Sequence, residues 1–302
     1  MSGRAGAWLV PILGAVFAAP ARADLYYLVV GGLGGEPKYQ EQFDKATADI
    51  AAVARRTTGN DRVIVLQGES ATRAALVKAF DSLRTRTKPA DSVAVVLVGH
   101  GSFDGDSYKF NLPGPDIDGA ELKRLLGAVP AKSQLVVDAT SASGAVLDWA
   151  NDNRVVITAT RSGFERNATR FPELFAAALA EGAADINKNG IITAQEAFDY
   201  ASRSVADSFT KQGTLATEHP QMKGSGAARF TVARLGVAPT VSSNPEVAAL
   251  TTQRERLDGD IEALKERREQ MPADAYLEQL QKLLVQLAEV QDKIDAAQGK
   301  PQ

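Results

Sequence analysis

Short apolar runs rich in β-branched residues alternate with amphipathic stretches between residues 24 and 235. The runs are almost uninterrupted, which is typical of parallel strands buried on both faces, and they predict strands at Leu25–Val30, Arg62–Leu66, Ser92–Val98, Gln134–Val137 and Val155–Thr158. Apolar residues at three- and four-residue spacing predict helices at Tyr39–Arg55, Ala71–Leu83, Gly119–Leu126, Ala145–Trp149 and Phe171–Ala180. This order predicts an α/β domain at residues 24–236, in which a mostly parallel sheet is covered by helices on both faces.

A different pattern follows a linker at residues 237–245, which contains two prolines and a Ser-Ser-Asn run. Charged residues separate two apolar stripes at heptad spacing, at Leu250, Leu257, Ile261, Leu264 and Met271 and then at Leu277, Leu280, Leu284, Leu287 and Ile294. Pro272 lies between the stripes, and proline is tolerated in the first turn of a helix but not in its interior. Residues 246–297 are therefore expected to form an antiparallel, coiled-coil-like helical hairpin. Its short stripes favour packing on itself or on the main domain over binding a partner protein.

The N-terminal segment has the pattern of a secretory signal peptide. Arg4 precedes an apolar stretch from Ala7 to Ala18, and Ala21-Arg22-Ala23 resembles a cleavage site. We expect residues 1–23 to be removed and the mature protein to be exported to the periplasm or the extracellular space. An uncleaved membrane anchor is the alternative, but about a dozen apolar residues are too few to span a bilayer comfortably. No later segment is long and apolar enough to predict a transmembrane helix in the mature chain.

Composition excludes several classes of protein. The formal net charge is -3 and charges of both signs are interspersed, so the chain has no basic stripe of the kind that nucleic-acid binding requires. The sequence has no cysteine, which excludes both a disulfide framework and a cysteine nucleophile.

Three predicted strands are followed by residues that could bind a ligand or take part in catalysis. The first runs into the glycine-rich segment 31–35, the third into His100-Gly101, and the fourth into the segment 138–144. Ligands bind at the carboxyl ends of strands in open α/β sheets, so these residues are expected to line a cleft. The glycine spacing does not match a dinucleotide-binding fingerprint and favours a loop that passes close to the cleft. His100 is either a general base or a structural histidine.

The His-Gly pair after one strand and the sequence Asp138-Ala139-Thr140-Ser141-Ala142-Ser143-Gly144 after another resemble the caspase-like fold, and in particular the legumain (C13) family of cysteine peptidases. The resemblance covers residues 25 to 234. It implies a caspase-like sheet, a general base at His100, an oxyanion donor at the Gly101 N–H and a cysteine-type nucleophile after the fourth strand.

The nucleophile position departs from the family pattern. Alignment from Asp138 places Thr140 where the family has cysteine, whereas alignment from Gly144 places Ser141 there. A hydroxyl ionises much less readily than a thiol, so a histidine suited to a Cys–His dyad would activate either residue poorly. We therefore expect a pseudopeptidase that binds an unknown protein partner through its cleft or its hairpin. The alternative is an active hydrolase that uses Ser141 or Thr140 with His100 as the base.

Residues 185–196 fit the twelve-residue calcium loop D-x-[DN]-x-[DN]-G-x5-E. The expected Ca²⁺ ligands are Asp185, Asn187, Asn189, the Ile191 carbonyl, Thr193 (directly or through water) and Glu196. Only two of them are carboxylates, so affinity is expected to be weak, about 10⁻⁴ to 10⁻³ M, and the ion to brace the domain. The alternative is a loop shaped by Asx turns without metal. His219, the second histidine, has no neighbouring metal-ligand residue and is expected to be structural.

Overall fold

A computed structural model describes residues 23–180, 182–235 and 244–298 of the chain. The strands are β1 Leu25–Gly31, β2 Val63–Leu66, β3 Ser92–Val98, β4 Gly101–Phe103, β5 Tyr108–Phe110, β6 Ile117–Asp118, β7 Ser133–Asp138, β8 Arg154–Thr158, β9 Ile191–Thr193, β10 Gln221–Lys223 and β11 Thr231–Arg234. The helices are α1 Pro37–Thr58, α2 Arg73–Arg86, α3 Gly119–Ala128, α4 Phe171–Ala180, α5 Ala194–Gln212, α6 Pro245–Glu266 and α7 Ala273–Ala297.

Six strands form the main sheet in the order β10-β8-β7-β3-β1-β2. All neighbouring pairs are parallel except β10 and β8, which are antiparallel. This arrangement confirms the predicted α/β class with a mostly parallel sheet and is consistent with a caspase-like fold. The five predicted strands are all present in it, and each boundary differs from the prediction by no more than a residue.

Helices cover both faces of the sheet, as the continuous apolar strands predicted. Side chains from α1, α4 and α5 pack on one face against alternate residues of the central strands, including Val96 and Val137. Side chains from α2 and α3 pack on the other face against the intervening residues, including Val95 and Leu97. The central strands are therefore buried on both sides, and only their ends are available for a site.

One predicted helix was wrong in type. The segment predicted as a helix at Ala145–Trp149 is a 3₁₀ helix, Ser143–Trp149. It follows Ala142, which has a left-handed backbone (φ 60°) although it is not glycine. The 3₁₀ helix forms part of the short connection between β7 and β8. Such helices are common in short connections.

The C-terminal hairpin is present, and its helices contact each other and the main domain. Leu257 of α6 packs against Val290 and Ile294 of α7. The second predicted stripe was partly wrong, because Leu277 and Leu284 are 59% and 49% exposed while Leu283 and Val290 take part in the contact. Helix α7 carries more than one apolar stripe, so heptad spacing alone did not identify the buried one.

Several expectations concern residues outside the described part of the chain. These are the signal peptide, for which only residue 23 is described, and most of the linker, of which only residues 244 and 245 are described. In the described residues, every helix is too short or too polar to cross a bilayer.

Candidate functional sites at the strand ends and in loop 185–196

The parallel sheet brings the predicted site residues of two strands together. Strand β3 pairs with β7, with Leu97 opposite Asp138, so the segments that follow both strands leave the same edge of the sheet. His100 and Gly101 lie on one of these segments, and Thr140 and Ser141 lie on the other. We call these four residues the strand-end cluster.

Ser141 and Gly101 are joined by two hydrogen bonds. The Ser141 hydroxyl donates to the Gly101 carbonyl at 2.9 Å and accepts the Gly101 backbone N–H at 3.2 Å. Ser141 is only 2% exposed. The candidate nucleophile and the candidate oxyanion donor therefore satisfy one another and present neither group to a substrate.

Thr140 belongs to a buried network that the sequence did not predict. Its hydroxyl donates to Asp138 Oδ1 at 2.7 Å and lies 2.8 Å from the Tyr108 hydroxyl. Its backbone N–H also donates to Asp138 Oδ1, at 3.3 Å. Thr140 and Asp138 are both 0% exposed, so this network lies beneath the surface of the cleft.

Asp138 is the unusual member of this network. Burial raises its pKa to about 6, although the Thr140 and Tyr108 hydroxyls act in the opposite direction. Among the described residues, Asp138 Oδ2 has no hydrogen-bond partner. A carboxylate at the end of an otherwise apolar strand was the available signal for Asp138, whereas Tyr108 lies on β5, which no sequence pattern predicted.

The His100 ring packs against helix α1. It meets Tyr39 and Phe43 edge-on, with ring centroids 5.4 Å and 5.0 Å away. Burial lowers the pKa of His100, although a hydrogen bond with the Gly34 backbone and the charge of Glu36 oppose this shift. In the described structure no hydrogen bond joins the imidazole to Thr140 or Ser141, so the cluster contains no assembled dyad.

The backbone edge of β4 is also occupied. The backbone N–H of Asn111 donates to the His100 carbonyl, and the backbone N–H of Asp104 donates to the Ser107 carbonyl. The backbone groups of His100 and Asp104 therefore face β5. The groups of Gly101 and Phe103 face the other way, where Ser141 bonds Gly101 and the Arg166 guanidinium donates to the Phe103 carbonyl at 3.1 Å. A peptide that added to this edge as a strand would have to displace both side chains.

His219 pairs with a carboxylate near the cluster. Its Nδ1 lies 2.6 Å from Glu165 Oε1, and the Glu165 carbonyl accepts the backbone N–H of Ala142 at 2.7 Å. The neighbouring Glu218 accepts the backbone N–H groups of Arg170 and Phe171 at the start of α4, and burial raises the pKa of Glu218 to about 7. His219 and Glu218 therefore each join two segments of the fold through hydrogen bonds.

Loop 185–196 leads from α4 into the first turn of α5, and Asx turns shape its first half. The Asp185 carboxylate accepts the backbone N–H groups of Asn189 and Gly190 at 3.1 and 3.0 Å. The Asn187 and Asn189 side-chain oxygens accept N–H groups two residues further on. Gly190 has a positive φ of 81°, which glycine adopts without strain and which the sharp turn at position 6 requires.

Positions 1 and 12 of the loop are close enough to influence one another. Asp185 and Glu196 are 4% and 7% exposed. Burial raises the pKa of Glu196, and the charge of Asp185 raises it further. The Thr193 hydroxyl is engaged in a capping box with Glu196, so it is less free to bind an ion directly. In the described residues no cluster of three or more His, Cys, Asp or Glu forms a metal site, and the loop offers only two carboxylates.

Comparisons with known proteins add little to this description. No protein-family model matches the chain, and no curated protein matches it. Among solved structures, it is similar to a structural genomics target protein from Geobacter sulfurreducens, with 15% identity and a TM-score of 0.47 over 71% of this chain and 98% of the other.

Proposed function

We propose that this protein is an exported homologue of the C13, caspase-like peptidases that has lost peptidase chemistry and acts as a binding or scaffold protein. The observation that carries the proposal is the mutual hydrogen bonding of Ser141 and Gly101. These hydrogen bonds engage both Ser141, a candidate nucleophile, and the Gly101 N–H, the oxyanion donor that the family resemblance implies. The chain has no cysteine that could serve as the nucleophile instead.

A hydrolase that uses Ser141 or Thr140 with His100 as base is the alternative. Attack by a hydroxyl requires a base within hydrogen-bond reach and an open approach for the carbonyl carbon. Both hydroxyls are at most 2% exposed, and the His100 ring packs on Tyr39 and Phe43. The alternative therefore needs a rearrangement of both strand-end segments before any chemistry takes place.

A fluorophosphonate probe separates the two functions. The purified full-length protein is incubated with the probe beside a known serine hydrolase, and covalent labelling is measured by intact mass. We expect no labelling of the wild-type protein. Labelling that disappears in both Ser141→Ala and His100→Ala would show a working nucleophile and would reject the pseudopeptidase.

The hairpin is the better candidate for a partner surface than the cleft. Leu277, Leu284 and Val285 of α7 are 49% to 59% exposed, whereas the cleft is closed by the contacts of Ser141 and Arg166. Exposed apolar side chains on one helix favour contact with another protein. Light scattering on Leu277→Lys/Leu284→Lys tests self-association through this helix, and a mass equal to that of the wild type would argue against it.

Calcium binding by loop 185–196 is the second proposed function, and the proximity of the buried Asp185 and Glu196 carboxylates favours it. Burial, and to a smaller extent the charge of Asp185, raise the pKa of Glu196, and a cation between the two carboxylates would oppose both effects. Ligands at the remaining positions would be the Asn187 and Asn189 oxygens and the Ile191 carbonyl. The ion would supply no chemistry to the strand-end cluster and would stabilise the helix-loop-helix segment.

Thermal unfolding with and without calcium tests this site. At a Ca²⁺ concentration tenfold above the dissociation constant, the native state gains about 1.4 kcal/mol, which corresponds to a melting temperature a few degrees higher. Glu196→Gln should abolish the increase, and Mg²⁺ should reproduce little of it. A melting temperature indifferent to about 10 mM calcium, tenfold above the weakest expected dissociation constant, would reject the metal site.

A further inference from the structure

The proposed calcium loop is joined to strand β11. Strand β9, which contains position 7 of the loop, pairs with β11 so that Ile191 lies opposite Arg234. The next residue, Leu235, donates its backbone N–H to the Gly190 carbonyl at 2.9 Å. The loop is therefore fixed along one side by the last strand of the main domain.

Strand β11 is in turn joined to helix α6 of the hairpin. The Arg234 guanidinium forms a two-point ion pair with the Glu255 carboxylate, with 2.8 Å between Nη2 and Oε2. These side chains are only 19% and 16% exposed, so solvent screens the pair less than it screens a surface pair. Because the pair is bidentate, it also fixes the orientation of Arg234 beside the loop.

Helix α6 also approaches the loop directly. The Asn189 side chain, a proposed ligand, is a neighbour of the half-buried Asp258, and it opposes the rise in the pKa of Asp258 that burial causes. The next residue, Gly259, lies against the main domain, where a Cβ would come within 2.9 Å of the Arg229 side chain and 3.2 Å of the Ala228 carbonyl. Glycine at this position allows the helix to lie close enough for Asp258 to reach the loop.

Charge gives these contacts a consequence for cation binding. The loop itself carries two acidic residues, Asp185 and Glu196, and one basic residue, Lys188 at position 4. Its net charge is therefore only weakly negative, which is a weak attraction for a divalent ion. The docked helix brings Glu255, which neutralises Arg234, and Asp258, which adds a further negative charge. If the helix moved away, Arg234 would remain beside the loop as an unpaired cation, and the Asn189 amide would keep its bond to the Ile191 N–H but lose its neighbour Asp258.

We infer that calcium binding at loop 185–196 and docking of the hairpin on the main domain are coupled, with Glu255 and Asp258 as positioning residues. The inference rests on the proposed calcium site. A docked hairpin raises the calcium affinity, since partners that orient a metal's ligands commonly change affinity by about 10- to 100-fold. Linkage is reciprocal, so calcium strengthens docking by the same factor.

Calorimetric titration of the full-length protein with CaCl₂ tests the coupling. Gly259→Leu should push α6 from the main domain without touching the loop, and Gln253→Leu, at an exposed position of the same helix, is the matched control. The double variant Glu255→Gln/Asp258→Asn keeps the side-chain shapes and removes the charges, so it serves if Gly259→Leu does not fold. Asp185→Asn disables the loop itself.

We expect about tenfold weaker calcium binding in Gly259→Leu and in the double variant, and wild-type affinity in Gln253→Leu. Hydrogen exchange in α6 should slow on addition of calcium in the wild type but not in Asp185→Asn. Wild-type affinity in both hairpin variants, with binding lost in Asp185→Asn, would overturn the coupling and leave the calcium site standing. No binding by the wild-type protein would overturn the calcium site and the coupling with it.

Discussion

The strand-end cluster and loop 185–196 both carry residue types that suggest chemistry, but their hydrogen bonds have different consequences for a ligand. In the cluster, donors and acceptors satisfy one another, as the Ser141 and Gly101 pair shows. In the loop, the Asp185, Asn187 and Asn189 oxygens accept backbone N–H groups of the loop itself, and each of these side chains keeps oxygen lone pairs that could bind a cation. Residue types therefore identify a candidate site, while the destination of each hydrogen bond decides whether the site is available.

The largest expected effect tests whether the strand-end cluster is tightly packed. A Cβ at Gly101 would lie 2.4 Å from the Ser141 carbonyl and 2.6 Å from the Thr140 hydroxyl. Gly101→Ala should therefore lower the free energy of unfolding by about 3 kcal/mol, measured by urea denaturation. Gly127→Ala is the control, because it meets open space in a helix and should gain up to about 1 kcal/mol. A cost below about 1 kcal/mol for Gly101→Ala would indicate an open cluster.

The next effect concerns the buried charge beneath the cluster. Burial raises the folded-state pKa of Asp138 to about 6, so the native state binds its proton more tightly than the unfolded state does. Stability from this group is greatest at low pH and is lost as pH rises from about 4 to 6, by roughly 2–3 kcal/mol. The difference in free energy of unfolding between wild type and Asp138→Asn should follow this trend. A difference that does not change with pH would contradict the raised pKa of the buried Asp138 carboxyl.

The smallest expected effect concerns His100. Because burial lowers its pKa, NMR titration should place the pKa below the ordinary value of about 6.5. The titration midpoint should not change in Ser141→Ala, since no hydrogen bond joins the two side chains. His219 gives the other imidazole signal and is assigned with His219→Gln. A pKa of His100 that moves when the Ser141 hydroxyl is removed would indicate a dyad.

Much of the fold could be predicted because its information is local. The runs at Ser92–Val98 and Gln134–Val137 are apolar on both faces, and this continuity indicates buried parallel strands without knowledge of their neighbours. Strands β4, β5 and β9 have three residues each and exist because of their partners, so no pattern in their own residues indicated them. The exposed Leu277 was assigned to the hairpin contact because spacing identifies a stripe but not the surface that it meets.

The candidate site divides in the same way. The sequence placed His100, Gly101, Thr140 and Ser141 at one edge, because the carboxyl ends of parallel strands coincide. It could not show that Ser141 bonds Gly101 across forty positions, or that Tyr108 on an unpredicted strand reaches Thr140. The turns of loop 185–196 were easier to predict, since the residues that form them lie within twelve consecutive positions, whereas calcium binding there stays a prediction.

A single introduced cysteine tests the central claim, that the nucleophile position is closed, most directly. The chain contains no cysteine, so alkylation by iodoacetamide reports one position only. Ser102→Cys, at an exposed neighbouring position, should react as a free thiol, whereas Ser141→Cys should react about 100-fold more slowly, after local opening. If Ser141→Cys instead reacted faster than Ser102→Cys, and lost that advantage in a His100→Ala background, a functional dyad would be present and the pseudopeptidase proposal would be wrong.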